Sequence, residues 1–256
     1  MAALFYFSIA GVLSQSFPIR QDLEWSVQAA ERVVQWRSDA EHWTAVALLG
    51  AAVIGYGWDS AAVAAVQRWQ SPIADRVFGI AKIFGEGVYW ALGSVLLYGI
   101  GGLTEQSAIR EIGREAFVAL LLTGAVTTVG KVVLGRARPY TGEGPEQFRW
   151  FETDNAYLSM PSGHTSTAFA LAGYAARKID QWWSYALFLP IAALTGVSRM
   201  YHNQHWLSDV FAGAAIGTWI GFSVAASSDS RESDQATSLS LVAGVPLRVG
   251  VQLRIP

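Results

Sequence analysis

The sequence predicts an all-α protein built as a six-helix transmembrane bundle. Three observations point there. Hydrophobic residues make up 52% of the 256 positions and charged residues 15%, against about a quarter charged in an ordinary soluble domain. Six apolar stretches recur along the chain. Glycine and alanine are abundant throughout, as in helices that pack closely within a bilayer.

Residues 1–17 read MAALFYFSIAGVLSQSF, an apolar core with small residues near Ser14 and Ser16 and no basic start. The segment is a candidate signal peptide or anchor. Residues 18–42 are polar and of helical pattern, with Trp25, Val33 and Trp36 as apolar anchors. They form an amphipathic N-terminal segment.

The six stretches fall within residues 43–226: Thr44–Gly57, Val88–Gly102, Ala116–Val133, Thr165–Ala176, Tyr185–Val197 and Val210–Ala226. Most are shorter than the roughly 20 residues that span a bilayer. Small flanking residues lengthen them, and a soluble bundle of very apolar helices is the alternative. Between the first two, Val63, Val66, Trp69 and Ile73 recur at helical spacing among charges, the pattern of a helix lying along the interface. The 11 tryptophans suit an interfacial belt. Residues 140–159 are a polar loop rich in turn formers. Residues 227–256 read as a Ser/Asp/Glu linker and a tail, SLSLVAGVPLRVGVQLRIP, that alternates about a turn near Gly244 and Pro246. Alternation predicts two short strands there.

A net charge of −2 implies no general attraction to nucleic acid. With no cysteine, disulfide frameworks and thiolate metal sites are excluded.

Three segments carry candidate chemistry. In the first, an apolar helix suddenly presents Lys131, then Arg136, Arg138 and Pro139. Alone, such charges are often interface snorkels. In the second, Pro161-Ser162-Gly163-His164 opens an apolar helix. Amide groups at a helix start form an anion site, Ser162 adds a hydroxyl, and His164 can exchange a proton. The plain alternative is an N-cap beside an incidental histidine. In the third, Ser198-Arg199 is followed by His205 and Asp209. Four residues apart on a helix, His205 and Asp209 share a face. A carboxylate that holds one ring nitrogen leaves the other free to attack. The alternative is a structural His–Asp pair. Together the segments supply cations, backbone donors, an acid and a nucleophile, the inventory of phosphoryl transfer.

The three segments resemble the signature of the type 2 phosphatidic acid phosphatase (PAP2) and vanadium haloperoxidase superfamily: K-x6-R-P, P-S-G-H and S-R-x5-H-x3-D. The spacings match in full across residues 131–209, and the family's helical core would extend the resemblance over residues 43–226, a phosphatase domain. The resemblance implies that His205 attacks phosphorus to give a phosphohistidine, that Asp209 orients it, and that His164 protonates the leaving oxygen and then activates water. It implies phosphate binding by Lys131, Arg138, Arg199, Ser162 and Gly163, with no metal and no cofactor. Arg136 and His202 lie outside the matched positions and read as interface charge and rim packing. Residues 200–204 lack a glycine common among relatives, which bears on the pocket rim.

The implied substrates are phosphatidate, phosphatidylglycerol phosphate or an undecaprenyl-type pyrophosphate within a membrane. A soluble periplasmic acid phosphatase and a vanadium-dependent haloperoxidase are the alternatives on the same core. Family enzymes place the first motif after the third helix, the second before the fourth, and the third between the fifth and sixth. The basic loops at Arg110–Arg114 and Arg177–Lys178 predict a cytoplasmic face. The motifs would then face the periplasm or cell exterior of a multi-pass inner-membrane protein. A cleaved signal ahead of Thr44–Gly57 would invert that orientation, so either residues 1–17 are not cleaved or one stretch does not cross.

Overall fold

A computed structural model describes residues 17–35 and 40–242. Every regular element among them is helical: α1 (Ile19–Val34), α2 (Ala40–Tyr56), α3 (Asp59–Gln67), α4 (Pro72–Ile83), α5 (Gly87–Leu103), α6 (Ser107–Leu134), α7 (Gly163–Ile179), α8 (Trp182–Tyr201) and α9 (Leu207–Val242). Short 3-10 turns at Pro139–Thr141 and Asn155–Tyr157 punctuate the long loop between α6 and α7.

Helix α9 is the axis. It packs against α7 and α2, while α5 pairs with α6 and α8 with α7. Close approach of α9 to α7 depends on missing side chains. A Cβ at Gly217 would strike the Ser166 carbonyl, and one at Gly221 the Ala170 carbonyl. Small residues bring helix backbones together where lipid supplies no hydrophobic drive between them.

The surface is apolar and part of the interior is charged. Val53, Leu92, Leu96, Leu121 and Val129 are all exposed, while Asp59, Glu115, Arg136, His205 and Asp209 are buried. This inversion suits an apolar solvent. Helix α6 and residues Leu207–Ser228 of α9 are each long and apolar enough to cross a membrane. The α2–α3 pair, bent by 85°, and the α4–α5 pair, bent by 46°, pass the same test as broken spans. Length and composition thus support two to four crossings among the described residues, fewer than the expected six. Helix α7 has 17 residues and ends in Arg177 and Lys178.

The segment 59–85, between the first two apolar stretches, is helical as its spacing predicts. It divides into α3 and α4 at Ser71-Pro72, where the Ser71 hydroxyl caps α4, and Val63, Val66 and Phe78 join a core with Tyr201 and Trp206. The strand expectation for the tail is corrected over its described residues, 238–242, which are helical. Helix α9 continues to Val242, through five residues assigned to the strand-like tail. No glycine or proline interrupts residues 222–242, so propagating the helix costs less than nucleating a new element. The rest of the tail and residues 1–16 lie outside the described residues. Within α1, Trp25 is buried as expected and Val33 packs against the same core.

Candidate active site

The three motifs sit on the end of α6, the start of α7, the end of α8 and the start of α9. Helix α6 stops at Gly135, whose φ of +55° lies in the left-handed region that glycine enters without steric cost. The chain turns there and lays residues 136–138 across the bundle. The Lys131 ammonium, one turn earlier, donates to the Leu158 carbonyl at 2.5 Å. Its Cε lies 3.5 Å from where a Gly163 side chain would begin, so motifs one and two are in contact.

Motif two opens α7. Ser162 is the N-cap residue, yet its side chain makes no capping bond, which leaves the positive end of the helix dipole for a ligand. The Ser162 hydroxyl accepts from Thr165 Oγ1 at 2.8 Å, keeping its own proton to donate. The Ser162 N–H donates to the Asp209 carbonyl at 2.9 Å. Motifs two and three are thereby joined.

Arg138 is held in a fork. Its Nε and Nη2 donate to the carbonyl and side chain of Asn155 at 2.8 and 2.9 Å, and Nη1 donates to Gln204 Oε1 at 2.8 Å. Gln204 directly precedes His205. Arg199, on the last turn of α8, is buried with its Nε unpaired. Lys131, Arg138 and Arg199 are close enough to repel one another, an arrangement that favours a bound anion.

His205 is 2% exposed. Burial pushes its imidazole down to about 3 from 6.5, against the pull of Asp209, which favours the neutral ring. Its Nδ1 stands 3.8 Å from Asp209 Oδ2 and makes no hydrogen bond. The expected orienting contact is therefore longer than a hydrogen bond. The carboxylate is already occupied: Oδ2 accepts from Ser159 Oγ at 2.5 Å and the Trp206 N–H at 2.9 Å, and Oδ1 from Arg136 at 2.6 Å. Such contacts are often long without substrate and tighten with it.

Arg136 overturns its reading as interface charge. Fully buried, it bonds Asp59, Asp209, Ser208 and the Pro145 carbonyl. Its cost of burial is offset because every nearby partner is an acceptor. Sequence reasoning missed Asp59, at the bend between α2 and α3, and Glu86, at the break between α4 and α5. Glu86 Oε1 lies 3.0 Å from His164 Nε2. A lone acid at the head of an apolar stretch is the signal that marks both. His202 bonds only locally, its Nδ1 2.6 Å from the Ser198 carbonyl.

The stretch with these features is also where the chain matches known proteins. Residues 113–232 match the family model of the PAP2 superfamily. A lipid A 1-phosphatase of Porphyromonas gingivalis is 38% identical over 109 residues, covering 41% of this chain and 21% of that protein. An undecaprenyl-diphosphatase of Sulfolobus acidocaldarius is 30% identical over 113 residues, covering 44% of this chain and 53% of that one. The chain spans less than two thirds of the length of either relative. Among solved structures, the transmembrane PAP2-type phosphatidylglycerolphosphate phosphatase of Bacillus subtilis superposes with a TM-score of 0.54 at 21% identity, covering 73% of this chain and 96% of that one. That likeness shows a shared fold. All three motifs, Lys131 to Asp209, lie inside the PAP2 region.

Proposed function

We propose that this protein hydrolyses a phosphomonoester or pyrophosphate group on a membrane lipid through a phosphohistidine. One observation carries the reading: a buried, neutral His205 sits where Lys131, Arg138, Arg199 and the uncapped start of α7 draw together. That is a cradle for a tetrahedral anion beside a nucleophile. The lipid A phosphatase and undecaprenyl diphosphatase among the relatives favour a lipid substrate.

In the first step His205 Nε2 attacks phosphorus and the bond to the leaving oxygen breaks. His164, steadied by Glu86, delivers a proton to that oxygen. In the second step His164 takes a proton from water, which attacks phosphorus and breaks the P–N bond. Inorganic phosphate leaves and His205 is restored. Lys131, Arg138, Arg199, Ser162 and the Gly163 N–H neutralise the equatorial oxygens throughout, and Asp209 steadies the imidazole.

Six crossings are proposed: α2–α3, α4–α5, α6, α7, α8 and α9. Trp43, Trp182 and Trp183 are exposed at the end far from the site, and Trp58, Trp69 and Trp150 at the near end. Two such girdles mark two membrane surfaces. Arg114 and Lys178 lie at the far end, and the positive-inside tendency supports a reading with that end in the cytoplasm and the site outside, in a bacterial-type inner membrane.

The test is inorganic phosphate release from phosphatidate, phosphatidylglycerol phosphate, undecaprenyl pyrophosphate and an aryl phosphate, with and without EDTA. Release from at least one lipid, undiminished by EDTA, is expected. No release from any of them sinks the proposal.

A further inference from the structure

A guanidinium carries five N–H groups, and three of those on Arg138 are already engaged. Nε donates to the Asn155 carbonyl, Nη2 to Asn155 Oδ1 and Nη1 to Gln204 Oε1. One N–H is left on each terminal nitrogen. That pair is the open end of the fork, the edge that takes two oxygens of a phosphate at once. Its direction is set by the acceptors behind it.

On the Asn155 side the hold comes from one turn. Asn155 opens a short 3-10 turn capped by Asp154, and the Arg138 N–H donates to the Ala156 carbonyl at 2.9 Å. Backbone and side chain of Arg138 thus lean on the same few residues.

The Gln204 side is placed by the end of α8. The helix closes at His202, and Asn203 lies in the left-handed region at φ +56°. The Asn203 and Gln204 N–H groups donate to the Met200 and Arg199 carbonyls, both at 2.9 Å. These two bonds form the paired helix ending in which glycine is usual and asparagine tolerated. Asn203 therefore makes the turn for which residues 200–204 hold no glycine. Gln204 leaves that turn fastened to the carbonyl of Arg199 and directly precedes His205. Among the described residues, no other hydrogen bond joins Arg138 to the segment that carries His205. In S-R-x5-H-x3-D, Gln204 occupies the last unrestricted position before the histidine, so the contact belongs to this chain and not to the signature.

We propose that Gln204 is a positioning residue that aims the open end of Arg138 at two oxygens of the phosphoryl group as they spread into the plane of the transition state. The proposal rests on the phosphatase reading. A guanidinium that has lost its aim still attracts an anion, because charge acts at a distance and without direction. Two aligned N–H bonds form only where the oxygens lie opposite the fork. The aim therefore acts on the transition state more than on bound substrate.

The experiment uses the full chain in phosphatidylcholine vesicles, an aryl phosphate as substrate, and orthovanadate and inorganic phosphate as inhibitors. Vanadate becomes five-coordinate when a nucleophile bonds to it and reports the transition state. Phosphate stays tetrahedral and reports the ground state. Gln204→Met keeps the length of the side chain and removes the acceptor. It is expected to fold, to lose about tenfold in kcat/KM and in vanadate affinity, and to change phosphate affinity by less than about twofold. Gln204→Glu keeps an acceptor at the same reach and sets a negative charge against Arg138. It should weaken both inhibitors alike, leaving their ratio as in the wild type. Should Gln204→Met fail to fold, Gln204→Ser, which withdraws the acceptor and admits water, carries the test with the same expectation. An unchanged ratio of the two affinities in the folded Met or Ser variant, or a changed one in Gln204→Glu, overturns the proposal. A wild type that releases no phosphate from the aryl ester and binds neither inhibitor overturns the phosphatase reading, and this proposal with it.

Discussion

Arg136 binds Asp59 and Asp209 at once, Nη2 to Asp59 Oδ2 at 2.5 Å and Nη1 to Asp209 Oδ1 at 2.6 Å, with all three side chains fully buried. Asp59 in turn accepts from both the N–H and hydroxyl of Ser208. The carboxylate beside His205 is thus positioned from the bend between α2 and α3. Removing the shared cation strands two buried acids, which costs about 3–5 kcal/mol. Arg136→Ala is expected to lower Tm sharply. Arg136→Lys keeps the charge but cannot fork between both acids. It should fold, lose at least tenfold in kcat and change KM little. A KM effect equal to the kcat effect would argue for direct substrate contact instead.

Under the proposed mechanism the two histidines separate by half-reaction. His205→Ala is expected to fold and lose turnover on every substrate. His164→Asn should retain attack on an aryl phosphate, whose leaving group needs no proton, and stall at dephosphorylation. Brief incubation with labelled aryl phosphate followed by an alkaline quench should then trap an acid-labile phosphoprotein in His164→Asn and none in His205→Ala. Label retained in His205→Ala would reassign the nucleophile.

Burial of His205 also predicts a pH dependence of stability. Its folded-state pKa of about 3 lies below the ordinary 6.5, so between those values the unfolded chain binds a proton that the folded protein refuses. Stability therefore falls as pH drops below 6.5 and the contribution levels off below about 3. One proton limits the slope to about 1.4 kcal/mol per pH unit. Tm measured from pH 7 to 4 should fall less steeply for His205→Gln than for wild type. Parallel curves would mean that the ring is protonated in the fold.

Gly135 fixes the path of motif one. A Cβ there would strike the Arg149 carbonyl, and the left-handed backbone alone costs a non-glycine residue about 1–3 kcal/mol. Gly135→Ala is expected to lower Tm and, by displacing Arg136 and Arg138 together, to reduce kcat/KM in a folded fraction at least tenfold. Unchanged Tm and kinetics would show that the loop relaxes freely.

The amino-acid order by itself determined where the membrane-type helices lie and which side chains could handle phosphate. Both are local properties: an apolar run specifies a helix whatever it packs on, and Lys131, His164, Arg199 and His205 are marked by spacing within short segments. What the order could not display is who meets whom across the bundle. Asp59 and Arg136 are separated by 77 positions, and Glu86 and His164 by 78, distances over which no periodicity carries information. Only the convergence of helix ends turned Arg136 from an apparent surface charge into the buried tie between two acids, and only the packing of the break between α4 and α5 against α7 brought Glu86 to His164. Burial is a collective property of the packed chain, so the charges most altered by it were those a linear reading had least means to place.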